Sequence, residues 1–324
     1  MSRLAFLLVF ALALPARAQE TVEVITLRSP VDKSYRKMVK GMDLFAAKHV
    51  MAPQATLRYK LLPRKPGSGT EDITLQVAGD KFRAPVPIAA DHTFTLTRYD
   101  QALKENAIVT LNRRASTMTW RADIRTPGLA PNVRRLGDLR LECLVGMEAG
   151  LVSDYSLLDQ LFRLVESPQE FCNRREVRYL YFAERPLFAV TLREGERRET
   201  LSVGHLYASA ALGEMPERER RYCDCEALLD RAYELPLGDR SWSDDALVEL
   251  DYMDAPPTAA DDPLAGYTKA EARAALGQPK VIKFASGYEV WAYLFGPKER
   301  PLEQSDLVLL FAPDGVAAKS RLRP

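Results

Sequence analysis

The stretch that most restricts the fold of this chain is GYTKAEARAALGQPKVIKFASGYEVWAYLF, residues 266–295. It contains a short helix-forming run, KAEARAAL, whose two ends are both specified. Thr268 and Glu271 fit a capping box, in which each side chain bonds the backbone amide of the other residue. Gly277 can adopt the left-handed conformation that ends a helix, and Pro279 prevents the helix from continuing. The sequence therefore predicts a short helix with defined ends.

Four strand-like runs follow this helix. KVIKF and YEVWAYLF flank Ala285-Ser286-Gly287, which is a tight hairpin signal. Both faces of the second strand carry apolar or aromatic side chains, so we expect both faces to be covered. DLVLLF and VAAKSRLR continue the pattern through the turn Pro313-Asp314-Gly315. We predict a helix packed on a small antiparallel meander.

This C-terminal arrangement resembles the SmpA/OmlA (BamE-like) family of bacterial outer-membrane assembly proteins. The resemblance covers only residues 262–324, about a fifth of the chain. It is carried by Gly266-Tyr267-Thr268 before the helix, Leu276-Gly277-Gln278-Pro279 after it, Trp291 and Tyr293 in the strand, and Phe311 with Asp314-Gly315.

The resemblance implies a small non-enzymatic module that binds protein partners at the cell envelope. It makes Tyr267, Trp291 and Tyr293 the candidate partner-binding residues. An alternative interpretation places Trp291 and Tyr293 in the domain core, because aromatic residues are common in both settings. The sequence also departs from the family: members are typically short lipoproteins, whereas this chain has a large N-terminal region, and Tyr267 stands where the family often has Met.

The N-terminal residues predict export. MSRLAFLLVFALALPARAQE combines Arg3, an apolar run from Leu4 to Leu14, and the small-residue cleavage site Ala16-Arg17-Ala18. The apolar run is too short for a stable membrane helix, although an N-terminal anchor is the alternative interpretation. We therefore predict that residues 1–18 are a signal peptide and that the mature protein is periplasmic. The sequence has no lipid-attachment cysteine just after the apolar run and no later apolar stretch long enough to span a membrane, so we expect the mature protein to be soluble.

The charge balance argues against nucleic-acid binding. The whole chain has 45 Lys and Arg against 44 Asp and Glu, and removing Arg3 and Arg17 with the signal leaves 43 against 44. A nucleic-acid-binding surface usually needs a strongly basic face. We expect no nucleic-acid partner.

Four cysteines remain in the mature chain: Cys143, Cys172, Cys223 and Cys225. An even number in an oxidising compartment predicts structural disulfides, with three alternative connectivities. Cys223 and Cys225 are too close in sequence for an unstrained bridge, so we expect each to pair with a distant cysteine. The alternative interpretation is a redox or metal site centred on this pair.

Residues 19–149 predict a helix followed by a β-sandwich-like domain. Apolar residues recur at three- and four-residue steps from Tyr35 to Ala46, which is typical of an amphipathic helix that starts near Pro30 or Asp32. Short alternating runs with turn signals then extend from Thr56 to Val145. This spacing predicts an immunoglobulin-like or prealbumin-like β-sandwich. The run AIVTLNRRASTMTWRADI is interpreted as a strand pair, and Gly137-Asp138 as a turn into a further strand.

The rest of the chain divides into a mixed α/β region, 150–250, a linker, 251–263, and the C-terminal module, 264–324. DYSLLDQLFRLVE predicts a helix, and the stretch from Val177 to Ala208 predicts three strands with a turn at Glu194-Gly195. PERERRYCDCEALLDRAYELPL is interpreted as a charged helix or irregular segment. The chain as a whole is predicted to be α+β.

Motifs for catalysis are missing from the sequence. The mature chain has only three histidines and lacks HExxH, GxSxG, P-loop and GxGxxG patterns. This favours binding over catalysis, and we predict no catalytic residue, cofactor or metal. The expected function is a soluble periplasmic binding or scaffold protein that docks a cell-envelope protein, such as an outer-membrane assembly component. The alternatives are an inhibitor of an exported enzyme, and an enzyme or redox protein centred on Cys223 and Cys225.

Overall fold

A computed structural model describes residues 30–151, 167–173, 179–212, 228–257, 262, 264–296, 302 and 304–323. These residues form an α+β structure, as predicted, with five antiparallel sheets in the described ranges. The helices are α1 (Tyr35–Lys48), α2 (Asp100–Lys104), α3 (Leu136–Glu148), α4 (Pro168–Asn173) and α5 (Lys269–Leu276). The strands are β1 (Pro30–Ser34), β2 (Thr56–Pro63), β3 (Leu75–Ala78), β4 (Arg83–Val86), β5 (Thr93–Phe94), β6 (Ile108–Arg114), β7 (Met118–Arg125), β8 (Val133–Arg135), β9 (Leu180–Phe182), β10 (Leu187–Glu194), β11 (Arg197–Thr200), β12 (Ala232–Glu234), β13 (Leu247–Tyr252), β14 (Lys280–Lys283), β15 (Glu289–Phe295), β16 (Ser305–Phe311) and β17 (Ala317–Arg323).

The N-terminal part contains α1 and two sheets, ordered β1-β6-β3-β4 and β5-β2-β7. Helix α1 begins after Ser34, whose hydroxyl accepts a hydrogen bond from the Lys37 amide, and not near Pro30 or Asp32. Strands β3 and β4 form an antiparallel hairpin. The pairing of β6 with β7 was wrong, because β6 pairs with β1 and β3 while β7 pairs with β2. The chain therefore changes sheets at the turn between them.

Helix α3 is the largest difference from the sequence prediction, which placed a turn at Gly137-Asp138 and a strand after it. Residues 136–146 are all buried, and α3 contacts α1, β7 and α4. A helix that is covered on every side has no one-sided apolar stripe, so its sequence lacks the period that indicates a helix. A side chain at Gly137 would collide with the Met51 carbonyl oxygen. The glycine therefore permits close packing and does not form a turn.

A disulfide joins α3 to α4. Cys143 and Cys172 are bridged, with their Cα atoms 6.1 Å apart. Both residues are buried, at 0% and 4% exposure. The prediction of structural disulfides is confirmed for this pair. Because Cys143 and Cys172 bond to each other, the expectation that Cys223 and Cys225 each pair with a distant cysteine was wrong. Cys223 and Cys225 themselves lie outside the described residues.

The middle region contains the sheet β11-β10-β13-β8 and the ribbon β12-β9. The three predicted strands and the turn at Gly195 are present, but β9 pairs with β12 and not with β10. Strand β13 extends to Asp251 and Tyr252, the first residues of the stretch predicted as a linker. The predicted helix 154–166 lies outside the described residues. The end of the segment interpreted as a charged helix or irregular stretch is a 3₁₀ turn, Leu229–Arg231, followed by β12.

The C-terminal part is a helix on a four-stranded meander, ordered β14-β15-β16-β17. The capping box of Thr268 and Glu271 is formed at the start of α5, and Gly277 has a positive φ of 84° at its end. The face of the sheet away from α5 joins the apolar core of the rest of the chain through Val290 and Val308. Both faces of the meander are therefore used for packing. Within the described ranges, none of the helices has the length and apolar character needed to span a bilayer.

Candidate functional site

The structure places two of the three predicted partner-binding aromatics in the core of the C-terminal part. Trp291 is fully buried and Tyr293 is 6% exposed. The Trp291 ring packs against Phe311 with centroids 4.6 Å apart, and the Arg273 guanidinium lies 4.5 Å from its centroid. Tyr267 is partly buried and packs against the same cluster. Trp291 and Tyr293 are therefore core residues, which corrects their interpretation as exposed binding residues.

An exposed apolar patch lies on the same face of the sheet, beyond the area that α5 covers. Side chains alternate along a strand, so Phe295 lies on the face of Trp291 and Tyr293. Leu307 of β16 lies directly opposite Tyr293 of β15 on one side and opposite Leu322 of β17 on the other. Phe295 is 52% exposed and Leu322 is 70% exposed. We define Phe295, Leu307 and Leu322 as the apolar patch.

A second feature, which the sequence did not predict, lies on one face of the β2–β7 strand pair. The opposite face of this pair carries Tyr59, Leu61 and Trp120 into the apolar core. The face in question carries charged residues, and the register places Arg58 opposite Asp123 and Lys60 opposite Arg121. Alternation of charged and apolar residues normally indicates a solvated face. Here the residues of β7 are buried along almost its whole length.

The charged side chains form a buried network. The Asp123 carboxylate accepts bonds from Arg58 at 2.9 Å and from Arg125 at 2.8 Å. Arg134 of β8 pairs with Glu142 of α3, and both residues are more than nine-tenths buried. The Glu142 carboxylate also accepts the Ile124 amide at 2.8 Å. The network thus connects the β2–β7 pair to α3.

The pKa values of the two central carboxyl groups are shifted in opposite directions. Burial raises the pKa of Glu142 to about 7; Arg134 opposes this shift and the charge of Asp123 adds to it. Burial also acts to raise the pKa of Asp123, but Arg125, Arg134 and Arg58 outweigh it and leave that pKa below its ordinary value. Two neighbouring carboxyl groups with separated pKa values are a frequent property of functional sites.

A cleft of about 220 Å³ opens over this network. Tyr181 and Tyr233 stack with centroids 5.4 Å apart on one side of it, and the Tyr181 hydroxyl donates to the Leu139 carbonyl oxygen at 2.7 Å. Arg231 lies at the rim and donates to the Glu184 carbonyl oxygen at 2.7 Å. We call this space the charged cleft; its ionisable lining includes Lys60, Arg121, Asp123, Arg125, Arg134, Glu142, Glu184 and Arg231.

Comparison with known proteins adds no family to these observations. No family model matches the chain, and neither the curated proteins nor the solved structures include a match. In the part of the chain that the structure describes, no group of three or more His, Cys, Asp or Glu residues is placed to hold a metal ion. The two candidate sites are therefore the apolar patch and the charged cleft.

Proposed function

We propose that this protein is a non-enzymatic, exported binding or scaffold protein that docks a cell-envelope protein through its C-terminal part, residues 264–324. Export follows from the signal-peptide pattern of residues 1–18. The docking function follows from the resemblance to the SmpA/OmlA (BamE-like) family, whose members assemble the outer membrane. Outer-membrane assembly or maintenance is the process that we propose for it.

The observation that supports this proposal best is the apolar patch. Phe295 of β15 and Leu322 of β17 expose large apolar side chains on the same face of the sheet, and Leu307 lies on β16 between their strands. Contiguous exposed apolar side chains mark interaction sites more often than isolated ones do. The strands that carry them are anchored by the buried cluster around Trp291, so the patch is held on a rigid support.

Site-specific photo-crosslinking in living cells tests the proposal. We expect probes at Phe295 and Leu322 to capture an envelope protein that mass spectrometry identifies. Val50 provides the matched control, because it is an exposed apolar residue, at 83% exposure, in the N-terminal part. A probe at Val50 should not capture the same protein. Adducts that are identical at all three positions would argue against a specific docking surface.

Substitution of the patch gives the quantitative form of this prediction. With the probe at Phe295, we expect Leu322→Ser to reduce the yield of the adduct at least tenfold, and with the probe at Leu322 we expect the same of Phe295→Ser, because residues at an interface centre contribute about 2 kcal/mol or more each. Both side chains are more than half exposed, so the free energy of unfolding should change little. An unchanged yield in the folded variant would exclude the patch.

The same experiment separates the alternative function. An inhibitor or sequestering protein would yield a soluble exported enzyme as the adduct and form a stoichiometric complex with it. An envelope docking protein would yield a membrane-associated component. The third alternative, redox or metal chemistry at Cys223 and Cys225, concerns positions outside the described residues.

A further inference from the structure

Strand β14 forms an edge of the C-terminal meander, and among the described strands it pairs with β15 alone. The Phe284 N–H donates to the Tyr288 carbonyl oxygen at 3.1 Å. This bond fixes which residues of β14 bond to β15, because hydrogen-bonded and non-bonded positions alternate along an antiparallel pair. Ile282 therefore directs its N–H and C=O groups toward β15, whereas Val281 and Lys283 direct theirs away from the sheet.

These outward-facing backbone groups are accessible. Val281 and Lys283 are exposed, and so are Gln278 before the strand and Ala285 after it. In the described ranges, no backbone hydrogen bond uses the N–H or C=O groups of Val281 and Lys283. An edge strand with free donors and acceptors is a template on which a further strand can pair. The edge at β14 is therefore able to accept an extended segment.

The opposite edge of the same sheet, β17, is covered by the chain itself. The Gly266 N–H donates to the Ala317 carbonyl oxygen at 2.8 Å, and the Ala317 N–H donates to the Tyr267 carbonyl oxygen at 2.9 Å. Further along β17, the Ser320 N–H donates to the Asp262 carboxylate. Within the described ranges, the fold thus supplies partners to the backbone of one edge and leaves the other edge open.

Two exposed lysines on β14, Lys280 and Lys283, restrict which strand the edge can accept. The Lys283 Nζ lies 3.7 Å from Glu289, but the carboxylate of Glu289 is closer to Lys269, at 3.0 Å. Pairing of two copies of this protein through β14 would bring four lysines together along one short seam, and neighbouring like charges destabilise a strand pair. Lysines on an edge strand commonly prevent such self-association. An acidic strand meets attraction where a second copy meets repulsion.

We propose that β14 accepts an extended, acidic segment of a partner protein as an additional strand of the meander. In this mode of binding, main-chain hydrogen bonds supply affinity and side chains supply specificity. Val281 and Lys283 provide the main-chain groups. In antiparallel pairing, the segment carries acidic residues opposite Lys283 and Lys280 and an apolar residue opposite Val281, which is 42% exposed. None of the residues of the apolar patch belongs to β14, so either surface can fail experimentally without the other.

Fluorescence anisotropy with two synthetic peptides tests this proposal. The probe is a labelled, threonine-rich peptide whose central positions are glutamate, threonine, valine and glutamate, and the control peptide has lysine in place of both glutamates. At physiological ionic strength, we expect the full mature protein to bind the acidic peptide saturably and at least tenfold more tightly than the lysine peptide. The absence of saturable binding up to about 1 mM would overturn the proposal, because that limit corresponds to very weak affinity. Equal binding of both peptides would overturn it as well.

Three variants test the edge itself. Val281→Pro removes an outward N–H and no bond to β15, and proline is tolerated at such positions of edge strands. It should raise Kd at least tenfold. Val281→Thr is the matched control, because it keeps the N–H and the strand propensity, and it should change Kd less than about threefold. Lys280→Glu should reduce the preference for the acidic peptide at least threefold. If Val281→Pro does not fold, Lys280→Glu decides the test, and an unchanged preference would overturn the proposal.

Amide hydrogen exchange followed by NMR locates the bound peptide. The amides of Val281 and Lys283 should exchange rapidly in the free protein and at least tenfold more slowly when the peptide is bound. The Ile282 amide is the internal control, because it faces β15 and should be protected in both states. Peptide binding without protection of Val281 and Lys283 would place the peptide elsewhere. Protection that rises with protein concentration in the absence of peptide would assign the edge to a second copy. Either result would overturn the proposal.

Discussion

Replacing Glu142 with alanine is expected to lower the free energy of unfolding by about 3–5 kcal/mol, because it leaves a buried cation without its partner. Arg134 pairs with Glu142, and both side chains are buried. The Ile124 amide would also lose its acceptor. Urea denaturation followed by circular dichroism measures the change.

The control for this substitution lies on the same helix. Glu148, at the end of α3, is partly exposed, and Glu148→Ala should change the free energy of unfolding by less than about 0.5 kcal/mol. Glu142→Gln keeps the shape and the hydrogen-bond acceptor and should cost less than Glu142→Ala. A loss below about 1 kcal/mol for Glu142→Ala would show that the pair contributes little to folding.

Glu142 should also make stability depend on pH near neutrality. Its pKa is about 7 in the folded state, against an ordinary value of 4.5. Between these values the folded protein binds more protons than the unfolded chain, so the stabilisation is complete below the lower value and is lost as the pH rises through 7. The expected change is on the order of 3 kcal/mol. Glu142→Gln should remove it, and an identical pH profile in both proteins would contradict the assignment.

Replacing Cys143 and Cys172 together with alanine is the second large effect that we expect. The bridge closes a loop with a sequence separation of 29 residues. Without the bridge, the unfolded chain regains the conformational entropy that closing a loop of that length removes. The free energy of unfolding should therefore fall by about 3–4 kcal/mol. Both residues are buried, so loss of packing adds to this effect.

A pair of denaturation curves isolates this bridge from the other cysteines. The double variant and the unchanged protein are compared first without reductant and then with it. The difference should be large without reductant and should shrink with it, because reductant also opens the bridge of the unchanged protein. A difference below about 1 kcal/mol without reductant would show that the bridge contributes little.

The elements that could be predicted from the sequence are those specified by neighbouring residues. The start of helix α5 could be predicted because its capping box is formed by Thr268 and Glu271, which are only three positions apart. The β10–β11 hairpin turns at Gly195, whose positive φ suits glycine. Helix α1 buries Tyr35 and Met38 on the stripe that the sequence indicated. In each case the signal lies within a few residues of the element that it predicts.

Other features depend on residues far apart in the chain. Strands β6 and β7 are adjacent in sequence but belong to different sheets, because their partners β3 and β2 are chosen by long-range packing. The burial of Trp291 depends on how far a short helix extends over the sheet. An aromatic strand pattern is the same whether its face is covered or exposed.

The sequence by itself determined the local elements: the ends of α5, the strands of the meander, the stripe of α1 and the α+β class. The tertiary structure alone decided which charged residues are buried. Asp123, Arg134 and Glu142 come from β7, β8 and α3, and each appears in sequence as an ordinary surface charge. They form one network because α3 packs against β7 and excludes solvent from their side chains. Periodicity reports the average surroundings of an element, whereas burial of a particular charge depends on what the fold brings to its face.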